Sequence, residues 1–234
     1  MPTWLLLAKG PAFYFILVVF VVGLLRLVVL TVWDITAAIR RAGDQRLPYG
    51  QIVRQTLSWI FPFQKLHRMR GVYSYASYGF HIAFLLAALF LRNHLDILRD
   101  NIGFSWWAIS KPILDVLTLG SIVGAAILLF TRLYRPDSRH LSRLSDYLML
   151  ILLLNIFVSG YVAGRAWNPI PYDGLMLFHT LNGMGLLLVS PFSKVAHCVL
   201  YPFIRLGSEV SWHLSPRGGR DVIETLHGPE GRKI

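Results

Sequence analysis

Four of the eight histidines in this 234-residue chain fall within or at the ends of two apolar stretches, His81 and His94 with one, His179 and His197 with another. A polar side chain is costly inside a membrane, so a histidine there stands for function by default. Neutral imidazole is a strong iron ligand, and two histidines facing each other across two helices can hold a haem from both sides. His179 and His197 are 18 residues apart, which on an ideal helix is five turns, placing both on one face about 27 Å apart along the axis. That separation suits two haems at two depths. His81 and His94 are 13 apart, about 20 Å in rise, and miss a common face by more than a third of a turn. If the two stretches run antiparallel, His81 and His197 share one level and His94 and His179 the other. Gly79, Gly183 and Gly185 would let a flat macrocycle approach the backbone. A lone membrane histidine has a plainer use, a hydrogen bond to a neighbouring helix, but four at paired depths favour ligation. His67, His140, His213 and His227 lie in basic segments and suit a solvated or headgroup role.

The elements that must carry these histidines are transmembrane helices. Hydrophobic residues make up 55% of the chain and charged ones 15%, well under the roughly 25% of soluble domains. A hydrocarbon core of about 30 Å needs roughly 20 apolar residues per crossing. Five stretches qualify: Phe13 to Trp33, Tyr75 to Leu91, Ile113 to Leu133, Tyr147 to Gly164, and Leu175 to Ile204. The expected fold is an all-α integral membrane bundle of five helices. The first stretch is longer than a signal-peptide core and lacks a small-residue cleavage pattern, so it reads as a retained helix. Pro112 is placed to start helix three, and Gly120, Gly124, Gly160 and Gly164 read as packing residues. The single cysteine, Cys198, excludes an intramolecular disulfide and an iron–sulfur cluster held by this chain's own cysteines.

Lysines and arginines set the expected orientation. The connection after helix one, the one after helix three and the C-terminal tail together carry 16 of them, whereas Lys9, Arg92, Arg99, Lys111 and Arg165 are the 5 on the opposite side. The richer side is cytoplasmic by the positive-inside rule, leaving the N-terminus outside. The net charge of +11 then serves anionic lipid headgroups or an acidic partner, and the scattered arginines form no nucleic-acid motif. Residues 1–205 read as the membrane domain and 206–234 as a cytoplasmic tail. Within the first connection, Gln51 to Phe63 alternates polar and apolar residues as an interfacial helix does. Arg26 in helix one either snorkels to the headgroups or meets a haem propionate.

Three segments carry a family likeness: Phe80-His81-Ile82, the run Arg132 to Asp146 with its Arg-Pro-Asp-Ser-Arg, and Pro191 to His197. With the 18-residue gap from His179 to His197 and the Gly23 and Arg26 pair, they resemble the gamma-subunit family of respiratory nitrate reductases over nearly the whole chain. The resemblance implies five transmembrane helices around two b-type haems, the outer one near a quinol site. It also implies electron transfer between the quinone pool and a cytoplasmic iron–sulfur subunit of a larger prokaryotic complex, in either direction. Two departures stand out. Leu91 occupies the position of the nitrate reductase subunits' outer helix-two histidine, so the outer ligand shifts to His94, and the first cytoplasmic connection is longer. Relatives serving sulfur-metabolising complexes of the heterodisulfide reductase type make such a partner equally compatible. Lys111, at the outer start of helix three, is the basic residue nominated for a quinone carbonyl.

A channel or transporter more often shows broken helices around a midplane polar cluster, and a non-redox anchor needs no histidine pairs. The orientation is open to direct measurement: a reporter fused after Ile234 should be active only when it functions in the cytoplasm, and activity confined to the outside would reverse the assignment.

Overall fold

The computed structural model describes residues 3–43, 47–62, 71–165, 170–214, 222 and 224–225. Among them every regular element is helical, and five helices are long and apolar enough to cross a membrane: Thr3–Arg41, Val72–Phe90, Lys111–Tyr134, Leu144–Ala163 and Tyr172–Phe192. In hydrocarbon each backbone amide needs a partner within its own segment, which is why apolar stretches of this length become helices.

The first of these extends ten residues before the stretch read from composition. It comprises α1 (Thr3–Leu7), a π turn (Ala8–Ala12) and α2 (Phe13–Arg41). Pro11 inside the turn lacks an amide hydrogen, and the wider π register absorbs that loss. Short α3 (Tyr49–Ile60) follows, covering residues 51–60 of the segment Gln51 to Phe63 expected to be helical; Phe63 lies outside the described residues. Then come α4 (Val72–Phe90), α5 (Arg92–Ile102), α6 (Lys111–Tyr134), α7 (Pro136–Leu141), α8 (Leu144–Ala163), α9 (Tyr172–Val189) and α10 (His197–Leu214). Pro112 lies in the first turn of α6, where a missing amide hydrogen costs nothing.

The chain divides into two compact units, residues 1–20 with 64–189 and residues 21–63 with 190–234. In the first, α4 packs on α6, α6 on α8 and α8 on α9. A Cβ on Gly124 of α6 would stand 2.9 Å from Cβ of Phe80, so glycine there brings α6 close against α4, as small residues do between membrane helices. Phe80, Phe84 and Phe157 meet alongside, with Phe157 edge-on to both of the others. Buried Ser121 donates to the Leu117 carbonyl one turn back, satisfying its hydroxyl within its own helix.

The end of α4 is accounted for oxygen by oxygen. Leu91 is extended, with ψ 125°, and breaks the helix before α5. The carbonyls left without helical donors are then met from elsewhere, as buried backbone requires. The His94 ring takes Ala88, the Trp106 indole N–H takes Leu89, and the Ile109 amide takes Phe90. Gly103, at φ 74°, ends α5 in the left-handed conformation that favours glycine.

In the second unit, Leu47, Ile52 and Val210 form a small core packed by Ile35, Ile39, Leu206 and Leu214. Tyr201 of α10 donates to the Trp59 carbonyl, and the Arg205 guanidinium lies over the Trp59 ring at 4.1 Å. A Cβ on Gly23 would stand 2.6 Å from Pro191, so the Gly23 of the family likeness makes room for that proline.

The fifth apolar stretch is not one helix, and this corrects the reading of Leu175 to Ile204. Helix α9 stops at Val189 and two 3-10 turns, Ser190–Phe192 and Lys194–Ala196, precede α10. Pro191 cannot donate to the helix ladder, and extended Ser193 accepts from the Val195 amide to start afresh. The 18-residue spacing of His179 and His197 is therefore not five turns of a continuous helix. The expected 205/206 boundary falls inside α10.

Ile52 is 1% exposed and anchors the small core, so Ile52→Ala should lower the unfolding free energy by about 2–5 kcal/mol. Thermal unfolding of the detergent-solubilised protein measures this, and a loss under about 1 kcal/mol would mean that the core collapses around the gap.

Candidate haem-ligand site

All four nominated histidines share one feature. In each, Nδ1 lies within hydrogen-bond distance of a main-chain carbonyl: Ser77 for His81 at 2.6 Å, Ala88 for His94 at 2.9 Å, Ile156 for His179 at 3.0 Å, and Lys194 for His197 at 2.6 Å. A carbonyl oxygen only accepts, so Nδ1 carries the hydrogen and Nε2 the lone pair. That is the tautomer in which a histidine binds metal through Nε2, its other nitrogen oriented by a second partner.

The structure brings two of the four together. The rings of His94 and His179 are 6.2 Å apart, centre to centre, with planes 11° from parallel. Two metal–imidazole bonds of about 2 Å, plus about 1.1 Å from each nitrogen to its ring centre, give about 6 Å. The centre-to-centre spacing of the pair is thus close to that of two imidazoles on one iron. Burial pushes the His94 imidazole below its usual range, and the bond to Ala88 acts in the opposite direction.

The break at Leu91 resolves the mismatch between His81 and His94. The two do not share one helix: His81 is within α4, whereas His94 starts the second half-turn of α5. Its ring reaches back across the break to the Ala88 carbonyl, six residues earlier. The helical spacing of 13 residues consequently has no bearing on where His94 points.

His81 is half-buried in the first unit with its ring edge-on to Phe80 at 5.4 Å. His197 belongs to the second unit, where it is the first residue of α10 and is exposed. A Cβ added at Gly79, Gly183 or Gly185 would meet no described atom within 4 Å. No group of three or more His, Cys, Asp or Glu able to hold a metal ion occurs among the described residues; a haem asks for two axial ligands.

Gly160 differs from the packing role read for it. A Cβ there would lie 2.7 Å from Cε1 of His179 and 3.1 Å from its Nδ1. Neighbouring Ser159 places its Oγ 3.2 Å from the same Nδ1 while donating to the Asn155 and Ile156 carbonyls. The sequence offered one signal for this pair, a Ser-Gly dipeptide inside an otherwise apolar helix. Gly124 does pack helix on helix, Gly120 makes an ordinary contact with Ala83, and Gly164 meets its own helix backbone.

Lys111 is exposed and paired with Asp115 at 2.9 Å, and Asp115 also holds Arg165 at 3.2 Å. The Arg165 guanidinium in turn covers the Tyr161 ring. Asp115 was not singled out in the sequence, although its spacing of four from Lys111 is the signature of a helical ion pair. Arg26 is exposed on α2. Lys9, in the π turn, interacts electrostatically with Asp173 and His179. Its carbonyl accepts from the Asn101 side chain of α5, which docks the turn beside the helix that carries His94. Arg217 and Arg220, basic residues of the C-terminal tail, lie outside the described residues.

No family profile matches the chain, and no solved structure matches it. A protein of Nitratidesulfovibrio vulgaris (strain Hildenborough) whose name states no activity is 31% identical over 214 residues, covering 90% of this chain and 93% of that one. With that identity over nine-tenths of both chains, this chain belongs to the same family as that Nitratidesulfovibrio vulgaris protein.

Proposed function

We propose that this protein is the membrane cytochrome b subunit of a respiratory oxidoreductase complex. It would carry electrons through two bis-histidine haems b between the quinone pool on the outer side and a cytoplasmic iron–sulfur partner. The observation that carries this reading is the His94–His179 pair: 6.2 Å between ring centres, planes 11° from parallel, and each Nδ1 on a main-chain carbonyl. A hydrogen-bonding role would satisfy one nitrogen of each ring; it gives no reason for two near-parallel rings at a centre-to-centre spacing close to that of axial ligands.

Haem supplies reversible one-electron chemistry, at a potential set by its axial ligands, hydrogen bonds and burial. The chain's own residues hold the ligands. His94 and His179 would bind the outer group and His81 and His197 the inner one, each with Nε2 presented by the Nδ1 bond. Arg26 is the candidate for a propionate. The likeness to nitrate reductase gamma subunits, on Phe80-His81-Ile82, Arg135 to Arg139 and Pro191 to His197, supports the quinone and iron–sulfur partners. The terminal reaction belongs to another subunit, of nitrate reductase or heterodisulfide reductase type. The excess of basic residues in the cytoplasmic connections supports an inner-membrane location with the N-terminus outside and the C-terminus inside.

At the quinone site Lys111 is the proposed donor to a carbonyl oxygen. Asp115 holds its ammonium at 2.9 Å, and the exposure of the pair leaves that bond weak enough to exchange for a ligand.

The purified protein should show a b-type spectrum with two components. His94→Ala and His179→Ala should each lose the same component, since an axial bond removed cannot be replaced by apolar neighbours. His81→Ala and His197→Ala should lose the other. Retention of both components in His94→Ala would exclude it as a ligand.

Lys111→Ala should leave both components intact and slow reduction by a quinol analogue by about tenfold, the effect of one lost hydrogen bond to substrate. Unchanged kinetics in a stopped-flow reduction assay would remove Lys111 from the site.

A further inference from the structure

We propose that Gly160 is a positioning residue for the His94–His179 pair: it leaves the Ile156 carbonyl uncovered, so that the His179 ring seats on α8 and lies parallel to His94. This rests on the reading of His94 and His179 as axial ligands.

Glycine is a poor helix residue and needs a reason inside a membrane span. Conformation is not the reason. Among the described glycines only Gly43, Gly71 and Gly103 have positive φ, so any residue could adopt the backbone of Gly160. Space is the reason: a Cβ at this position would lie 2.7 Å from Cε1 of His179, 3.1 Å from Nδ1 and 3.4 Å from Nε2. Neither Gly164, which follows α8, nor any glycine of α9 presses on a histidine. Gly164 meets only its own helix backbone at 3.5 Å, and Gly174, Gly183 and Gly185 meet nothing within 4 Å.

The location explains what the space is for. In an α-helix the carbonyl of one residue points along the axis toward the residue four places on. The Ile156 carbonyl therefore points at Gly160, and a side chain there would stand over it. With glycine, Nδ1 of His179 reaches that oxygen at 3.0 Å and lies 3.2 Å from Ser159 Oγ. Three ring atoms within 3.4 Å of the missing Cβ mean that alanine must turn or lift the ring. The 11° angle to His94 would then open.

The angle between two axial imidazole planes governs how the orbitals of a low-spin ferric iron split. Near-parallel planes give a rhombic signal; opening them makes the signal more axial and raises its largest g value. A change in the ring's hydrogen bond also moves the reduction potential.

The test uses the full-length protein, purified in detergent with the haem it retains. Gly160→Ala should keep two spectral components, yet shift the potential and raise the largest g value of the component that His94→Ala abolishes. The other component should not move, and Gly164→Ala should move neither. A Gly160→Ala protein with the g values and potentials of the parent overturns the proposal. Melting temperatures supply a second readout, which needs no haem signal. Gly160→Ala should lower the melting temperature in the parent and not in a His179→Ala background, where the clash is gone. Equal lowering in both backgrounds overturns the proposal. A parent protein that binds no haem overturns the ligand reading itself, a result distinct from haem-bearing protein indifferent to Gly160→Ala.

Discussion

An imidazole in or beside a membrane must place its N–H on an acceptor, because hydrocarbon offers none. The arrangement of this molecule around its histidines follows from that constraint. His81 uses the carbonyl one turn back in its own helix, and His94 uses one released by a helix end. His179 reaches across to a neighbouring helix, and His197 takes an oxygen of a 3-10 turn. The four solutions differ in local structure and agree in chemistry. Each fixes the hydrogen on Nδ1 and directs the lone pair of Nε2 away from the oxygen that holds the ring.

The same accounting explains why the helices break where they do. A transmembrane helix that stops short leaves carbonyls unmatched, and those carbonyls become useful only if side chains can reach them. At the end of α4, the rings of His94 and Trp106 and the amide of Ile109 take three consecutive oxygens. In the π turn the Lys9 carbonyl is met by Asn101. Both features converge on α5, a short helix whose position is set by bonds to chain ends rather than by burial alone. Leu95, 1% exposed, is its sole deeply buried side chain among the described residues.

The five apolar helices were legible because span length follows directly from bilayer thickness, and that signal survives even where boundaries shift by several residues. The short helix α3 was legible from the alternation of its residues, and Pro112 from the chemistry of a first turn. The breaks were not. Leu91 is a good helix former in an apolar run, and its extended backbone depends on how residues 103–110 fold back over α4. The stretch from Ser190 to Ala196 carried a cue in Pro191, but hydropathy alone joined it to both neighbours. For the site, the residue types identified four histidines, while helical arithmetic treated His94 and His197 as if on continuous helices. Gly160 was hidden for another reason: the clash it avoids comes from a residue 19 positions away on a different helix, and nothing local distinguishes it from a packing glycine.

The oxygens that orient the rings belong to the main chain, and this changes what variation can reach. Ser77, Ala88, Ile156 and Lys194 could each be exchanged for many residues without removing the acceptor, since every amino acid contributes the same carbonyl. Homologues can thus diverge at all four positions while keeping the rings in place. What they cannot vary freely is the backbone path that exposes those oxygens: the stop after Phe90, the turn before His197 and the bare helix surface at Gly160. Purifying selection on this protein should therefore fall on shape-determining residues at some remove from the histidines, and alanine scanning of the immediate neighbours would pass over the groups that hold them.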